Sequence, residues 1–95
     1  MRSIEEIRKD IDRVDEDLVL LLETRLGLSK EIALVKKTEG KPVFDPVREK
    51  ERLDTAAGFL KNKDYTHEMK ELFNGIMAVS RSLQERTIHA LEETS

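Results

Sequence analysis

From Ile4 to Val35 the apolar residues return every three or four positions with little interruption: Ile4, Ile7, Ile11, Val14, Leu18, Leu21, Leu28, Ile32 and Val35. An α-helix brings such positions onto one face, so this stretch reads as one continuous amphipathic helix. Ser3 followed by Glu6 is a capping-box signature at its start, and Gly40 with Pro42 stops it after about Thr38. A helix of ~35 residues is ~52 Å long at ~1.5 Å per residue, whereas a compact chain of 95 residues has a diameter near ~32 Å. The helix cannot fit inside a monomeric globule, and the part that protrudes carries an apolar seam with it. The same seam on a second copy of the chain is the simplest surface to cover it. An intertwined homodimeric helical bundle with exchanged long helices is therefore expected.

The remaining chain is also read as helix. Asp45-Pro46 is an N-cap with Pro at the first helical position, opening a second helix over 46–62 through Val47, Leu53, Ala56, Ala57 and Leu60, with Gly58 weakening its end. Asn62 to Thr66 is a polar connection, and Tyr65 within it leads into the next element. Met69, Leu72, Phe73, Ile76, Met77, Leu83, Ile88 and Leu91 trace the stripe of a third helix over 66–93. Charged residues (39%) match hydrophobic ones (38%), and there are only four Gly and two Pro, a balance that favours long exposed helices over sheets. The expected fold is all-α, a single domain over 1–95 with helices at about 3–38, 46–62 and 66–93. One core of this size is marginal without help from a partner.

Several function classes are disfavoured. No Cys is present, so there is neither a disulfide framework nor a thiolate metal site. The longest unbroken apolar run, Leu18 to Leu22, is far too short for a bilayer span, and Met1-Arg2-Ser3 is followed by charge rather than a signal-peptide core. A soluble cytoplasmic protein is the expectation. A net charge of −3 with few aromatics disfavours nucleic acid and anionic membranes as partners, so any bound anion must be met by a local cluster. His67 and His89 each lack a second ligand at metal spacing and are read as surface residues, and no metal is expected.

Polar residues interrupt the apolar stripes on all three helices. The step after Leu21 lands on Arg25 before the pattern resumes at Leu28. Glu49 lies four residues before Leu53 and seven before Ala56, and Ser80 and Gln84 continue the stripe of the third helix. Each has a structural explanation. Arg25 and Glu49 can form a buried ion pair, or Arg25 can fix helix register. Ser80 can bond a carbonyl of its own helix, and Gln84 can face solvent at the edge of the stripe. Together, an Arg, a Glu, a hydroxyl and an amide turned inward make a site for a small polar anion. Lys36 returns to nearly the same face eleven residues after Arg25, ~16 Å along the axis, and Arg48 adjoins Glu49, although taken alone either cation is explained more simply by a solvated surface position.

These residues resemble the all-helical chorismate mutases of the AroQ type over essentially the whole chain. The resemblance rests on Ile7-Arg8-Lys9-Asp10-Ile11-Asp12 with Asp15, then Arg25, Lys36, Pro42-Val43, Asp45, Arg48, Glu49, Ser80 and Gln84. It implies rearrangement of chorismate to prephenate without metal or cofactor. Arg25, Lys36, Arg48 and Ser80 match the family's binders of the substrate carboxylates and surrounding polar atoms, and Arg8 matches the arginine given by the neighbouring subunit. Glu49, with the backbone at Asp45, matches the contacts to the ring hydroxyl. Lys36 and Gln84 match the pair that donates hydrogen bonds to the ether oxygen. Some relatives carry Glu at the position of Gln84 and must keep it protonated, whereas an amide donates at any ordinary pH. Isochorismate pyruvate-lyase shares the fold and the catalytic lysine, but Glu49 favours the mutase. A non-enzymatic dimerisation module would have no reason to turn Arg25, Glu49, Ser80 and Gln84 inward together.

Overall fold

The computed structural model describes residues 1–94, and its regular elements are all helical: α1 (Ile4–Glu39), α2 (Pro46–Gly58) and α3 (Thr66–Thr94), with a 3-10 turn at Lys63–Tyr65. Ser3 is extended and its hydroxyl oxygen accepts the Glu6 N–H at 3.2 Å, which satisfies one of the free donors at the start of α1. At the other end Gly40 adopts φ 68°, a left-handed conformation that costs glycine nothing. The turn there lets the Lys41 N–H close onto the Lys36 carbonyl at 2.8 Å. The uninterrupted 36-residue α1 agrees with the periodicity of its apolar residues.

Pro46 opens α2 as expected, and the Asp45 carboxylate caps it by accepting the Arg48 N–H at 3.0 Å. The helix ends at Gly58, however, and does not reach residue 62. Lys63 folds back so that its ammonium donates to the Gly58 carbonyl at 2.9 Å and the Ala57 carbonyl at 3.4 Å, capping the end of α2. Asn62 is extended, and its side chain accepts the Asp64 N–H at 3.0 Å, starting the 3-10 turn that feeds Tyr65 into α3. Local side-chain bonding thus outweighs the apolar spacing that carries the stripe on to Leu60.

α3 lies between α1 and α2 and packs on both. The buried apolar residues among those described are Ala33, Ala56, Ala57 and Met77, and no large side chain is fully enclosed. The molecule measures 59 × 27 × 14 Å, its length set by α1. Its radius of gyration, 16.9 Å, exceeds the ~12 Å of a compact chain of this length. Its accessible surface of 7723 Å² exceeds by ~2,100 Å² the ~5,600 Å² of a compact 11.0 kDa monomer. The excess has a visible source: Ile4, Ile7, Ile11, Val14, Leu18 and Leu21 stand exposed along the free half of α1. Among the described residues, no helix is long and apolar enough to cross a membrane.

Candidate active site

The second half of α1, the start of α2 and the middle of α3 line an open cavity of about 650 Å³, the size of a small-molecule site. Arg25, Lys36, Asp45, Arg48, Glu49, Ser80 and Gln84, all singled out from sequence, line it. Arg8 does not: it is exposed on the free half of α1, outside this cavity.

Lys36 sits in the last turn of α1, where a cation meets the negative end of the helix dipole. Its ammonium donates to the Val43 carbonyl at 2.6 Å, tying the connection before α2 back onto α1. One of three N–H groups is used this way, so the others are free for a ligand. Asp45 holds α2's first turn through its side chain, while its carbonyl accepts the Glu49 N–H at 3.0 Å.

Glu49 pairs with Arg81 of α3 and not with Arg25, so the buried Arg25–Glu49 pair that the sequence allowed is not formed. The Arg81 guanidinium also lies over the Phe44 ring, 5.3 Å from its centre, within cation–π range. Arg81 thereby joins the connection before α2, the start of α2 and α3 at one edge of the cavity. Burial pushes the Arg25 guanidinium below its ordinary value, and repulsion from Arg52 and then Arg48 pushes it the same way. A guanidinium starts so far above neutrality that it stays charged.

Ser80 does not bond a carbonyl of its own helix. Its hydroxyl meets that of Ser29 on α1, and the Gln84 Nε2 donates to it at 3.3 Å. Gln84 is buried rather than solvated, and its Oε1 has no partner among the described residues. The two ends of an amide have the same shape, so turning it over lets the Ser80 hydroxyl donate to Oε1 and frees Nε2 to donate to a ligand. An unsatisfied buried polar atom beside a cavity is where a polar ligand gains most.

Sequence reasoning passed over three lining residues, Ser29, Arg52 and Arg81. The signal for Ser29 was present, because Arg25, Ser29, Ala33 and Lys36 follow one another at helical steps. Arg52 lies one turn after Arg48 and had the same kind of signal. Nothing local marks Arg81, whose role depends on a partner 32 residues away. Five cationic side chains line the cavity (Arg25, Lys36, Arg48, Arg52, Arg81) against two acidic ones (Asp45, Glu49), although the chain as a whole carries −3. A small dianion with hydrogen-bond acceptors suits it. His67 and His89 lie on the surface, each one turn from a glutamate, as expected.

Comparison with known proteins agrees with this picture. The chain is 30% identical over 95 residues to a chorismate mutase of Methanocaldococcus jannaschii, aligning 99% of this chain with 93% of that protein. It is 28% identical over 92 residues to a bifunctional chorismate mutase/prephenate dehydratase of Aquifex aeolicus, where it aligns over 88% of its own length but spans only 25% of the relative. The family model described as chorismate mutase type II matches residues 7–85, which takes in α2 and most of α1 and α3 together with the whole cavity, and the chain belongs to that family.

Proposed function

We propose that the chain rearranges chorismate to prephenate in this cavity and works as an intertwined homodimer, each copy giving Arg8 to the other's site. The observation that carries the reading is the juxtaposition of Lys36 and the unsatisfied Gln84 amide in a cavity whose charge favours a dianion. The reaction is intramolecular: one carbon–oxygen bond breaks as one carbon–carbon bond forms, and negative charge gathers on the ether oxygen. No nucleophile, general base, metal or cofactor is required, and electrons and atoms balance within the substrate.

Two tasks remain for the protein. Arg25 and Arg48, with the partner subunit's Arg8, hold the carboxylates so that the side chain lies over the ring, an orientation effect. Lys36 and Gln84 donate to the ether oxygen as its charge grows. Loss of one such preorganised donor costs ~3–4 kcal/mol in other enzymes, so two supply a large part of the ~8 kcal/mol that a modest enzyme provides. Glu49, held by Arg81, and the backbone at Asp45 receive the ring hydroxyl, and Ser80 orients Gln84 and adds a polar contact.

Two grounds support the dimer. Arg8 lies ~25 Å along α1 from Arg25 and ~42 Å from Lys36, so it cannot reach the cavity of its own chain. Pairing the free halves of α1 also covers the apolar residues exposed there. A soluble cytoplasmic enzyme fits this scheme. The test is loss of chorismate absorbance on adding protein, with products separated by chromatography and isochorismate tried alongside. Prephenate formation abolished in Lys36→Ala and lowered about 100-fold or more in Gln84→Ala is the expected result. Pyruvate release from isochorismate alone would point to the lyase, and a folded protein inert to both would point to a binding module.

A further inference from the structure

Four of the cavity's five cations have no protein counter-ion among the described residues, and three of the four are arginines. Arg81 is paired with Glu49 and the Lys36 ammonium is bonded to the Val43 carbonyl, but no carboxylate pairs with Arg25, Arg48 or Arg52 among the described residues. Arg52 is partly buried rather than turned out into solvent, which an idle surface arginine would be. The arrangement works against the free protein. Arg48 and Arg52 are like charges one turn apart on the same helix, a spacing that destabilises it. Arg48 also lies in the first turn of α2, where the helix dipole is positive. Arg25 is repelled by both, and by Arg52 more than by Arg48. A chain with twenty acidic residues and only seventeen Lys and Arg has counter-ions to spare, yet the two in the cavity are engaged elsewhere, Asp45 in capping α2 and Glu49 with Arg81. A bound anion removes each of these penalties at once.

On the mutase reading above, we propose that Arg52 is a further substrate-binding residue, its guanidinium joining those of Arg25 and Arg48 around one carboxylate of the bound dianion. A carboxylate has about four acceptor positions, enough for several guanidinium N–H groups from different directions. Two of the three arginines lie on α2 and one on α1, so the carboxylate bridges the two helices that α3 otherwise holds together. Arg52 therefore raises affinity for the doubly charged substrate and has no part in the ether-oxygen chemistry.

The experiment compares wild type, Arg52→Leu and Arg52→Lys in steady-state turnover of chorismate and in thermal unfolding without substrate. Arg52→Leu is expected to raise KM about tenfold or more, the loss of a charge-assisted contact, while kcat stays within about threefold. Arg52→Lys, which keeps the charge and loses the fork, is expected to fall between. Ligand-free Arg52→Leu is expected to unfold at or above the wild-type temperature, because the repulsion on Arg25 and Arg48 is gone; a packing role predicts the opposite. A KM within about twofold of wild type, or a raised KM accompanied by a lower unfolding temperature in both variants, overturns the proposal. Should wild type leave chorismate unchanged, the mutase reading fails by itself, and calorimetric titration with chorismate decides Arg52. Tighter binding by wild type than by Arg52→Leu keeps the anion-binding role, and indistinguishable binding overturns it.

Discussion

Val14→Asp isolates the role of the free half of α1. Val14 is 63% exposed in the single chain and lies eleven residues before Arg25, ~16 Å from it along the axis, so the substitution does not touch the cavity directly. The surface that exceeds a compact monomer's is ~2,100 Å² per chain, hence ~4,200 Å² over two copies, within the ~2,000–5,000 Å² of obligate dimers. Covering the exposed part of Val14 is worth ~1 kcal/mol, and placing a carboxylate there instead adds at least ~2 kcal/mol of desolvation. A two-fold dimer suffers this twice, ~6 kcal/mol together, which weakens association about 10,000-fold. Light scattering at micromolar concentration is expected to report twice 11.0 kDa for wild type and a single chain for the variant. Circular dichroism is expected to show reduced helicity, because the single chain buries little apolar core. Chorismate turnover is expected to vanish with the dimer, because Arg8 then reaches no site. Wild type at the mass of one chain, or a variant that stays dimeric with unchanged melting, would refute the reasoning.

Two further outcomes follow from the site. Arg81→Ala removes the partner of Glu49 and the cover over Phe44. Because the pair is partly solvent-screened, with side chains 33% and 20% exposed, the expected loss is only about 1–2 kcal/mol of stability, read as a melting temperature lower by several degrees. Turnover by wild type is expected to stay level between about pH 6 and pH 8, because the Gln84 amide has no proton to lose in that range. A steep fall there that Gln84 substitutions abolish would show that the donor has been misassigned.

The course of α1 was legible from residue spacing alone, since a seam repeated over nine positions leaves only one periodicity to choose. Its length already implied a surface that the chain itself does not bury, and the apolar residues from Ile4 to Leu21 stand exposed. The start of α2 was equally plain, because Asp45-Pro46 acts through bonds confined to one turn. Its end was not. Gly58 was a weak signal, and the decision came from Lys63 and Asn62, whose side chains compete with the helix from beyond it.

The site divides in the same way. Arg25, Glu49, Ser80 and Gln84 were visible because each breaks a stripe on its own helix, and a buried polar residue needs a reason that an exposed one does not. Which of them meet was settled by packing. Glu49 chose Arg81 over Arg25, Ser80 chose Ser29 over its own backbone, and Arg52 came to face the two arginines seen earlier. Periodicity fixes the side of a helix a residue is on, whereas its partner depends on how helices far apart in sequence cross, and no local pattern encodes that.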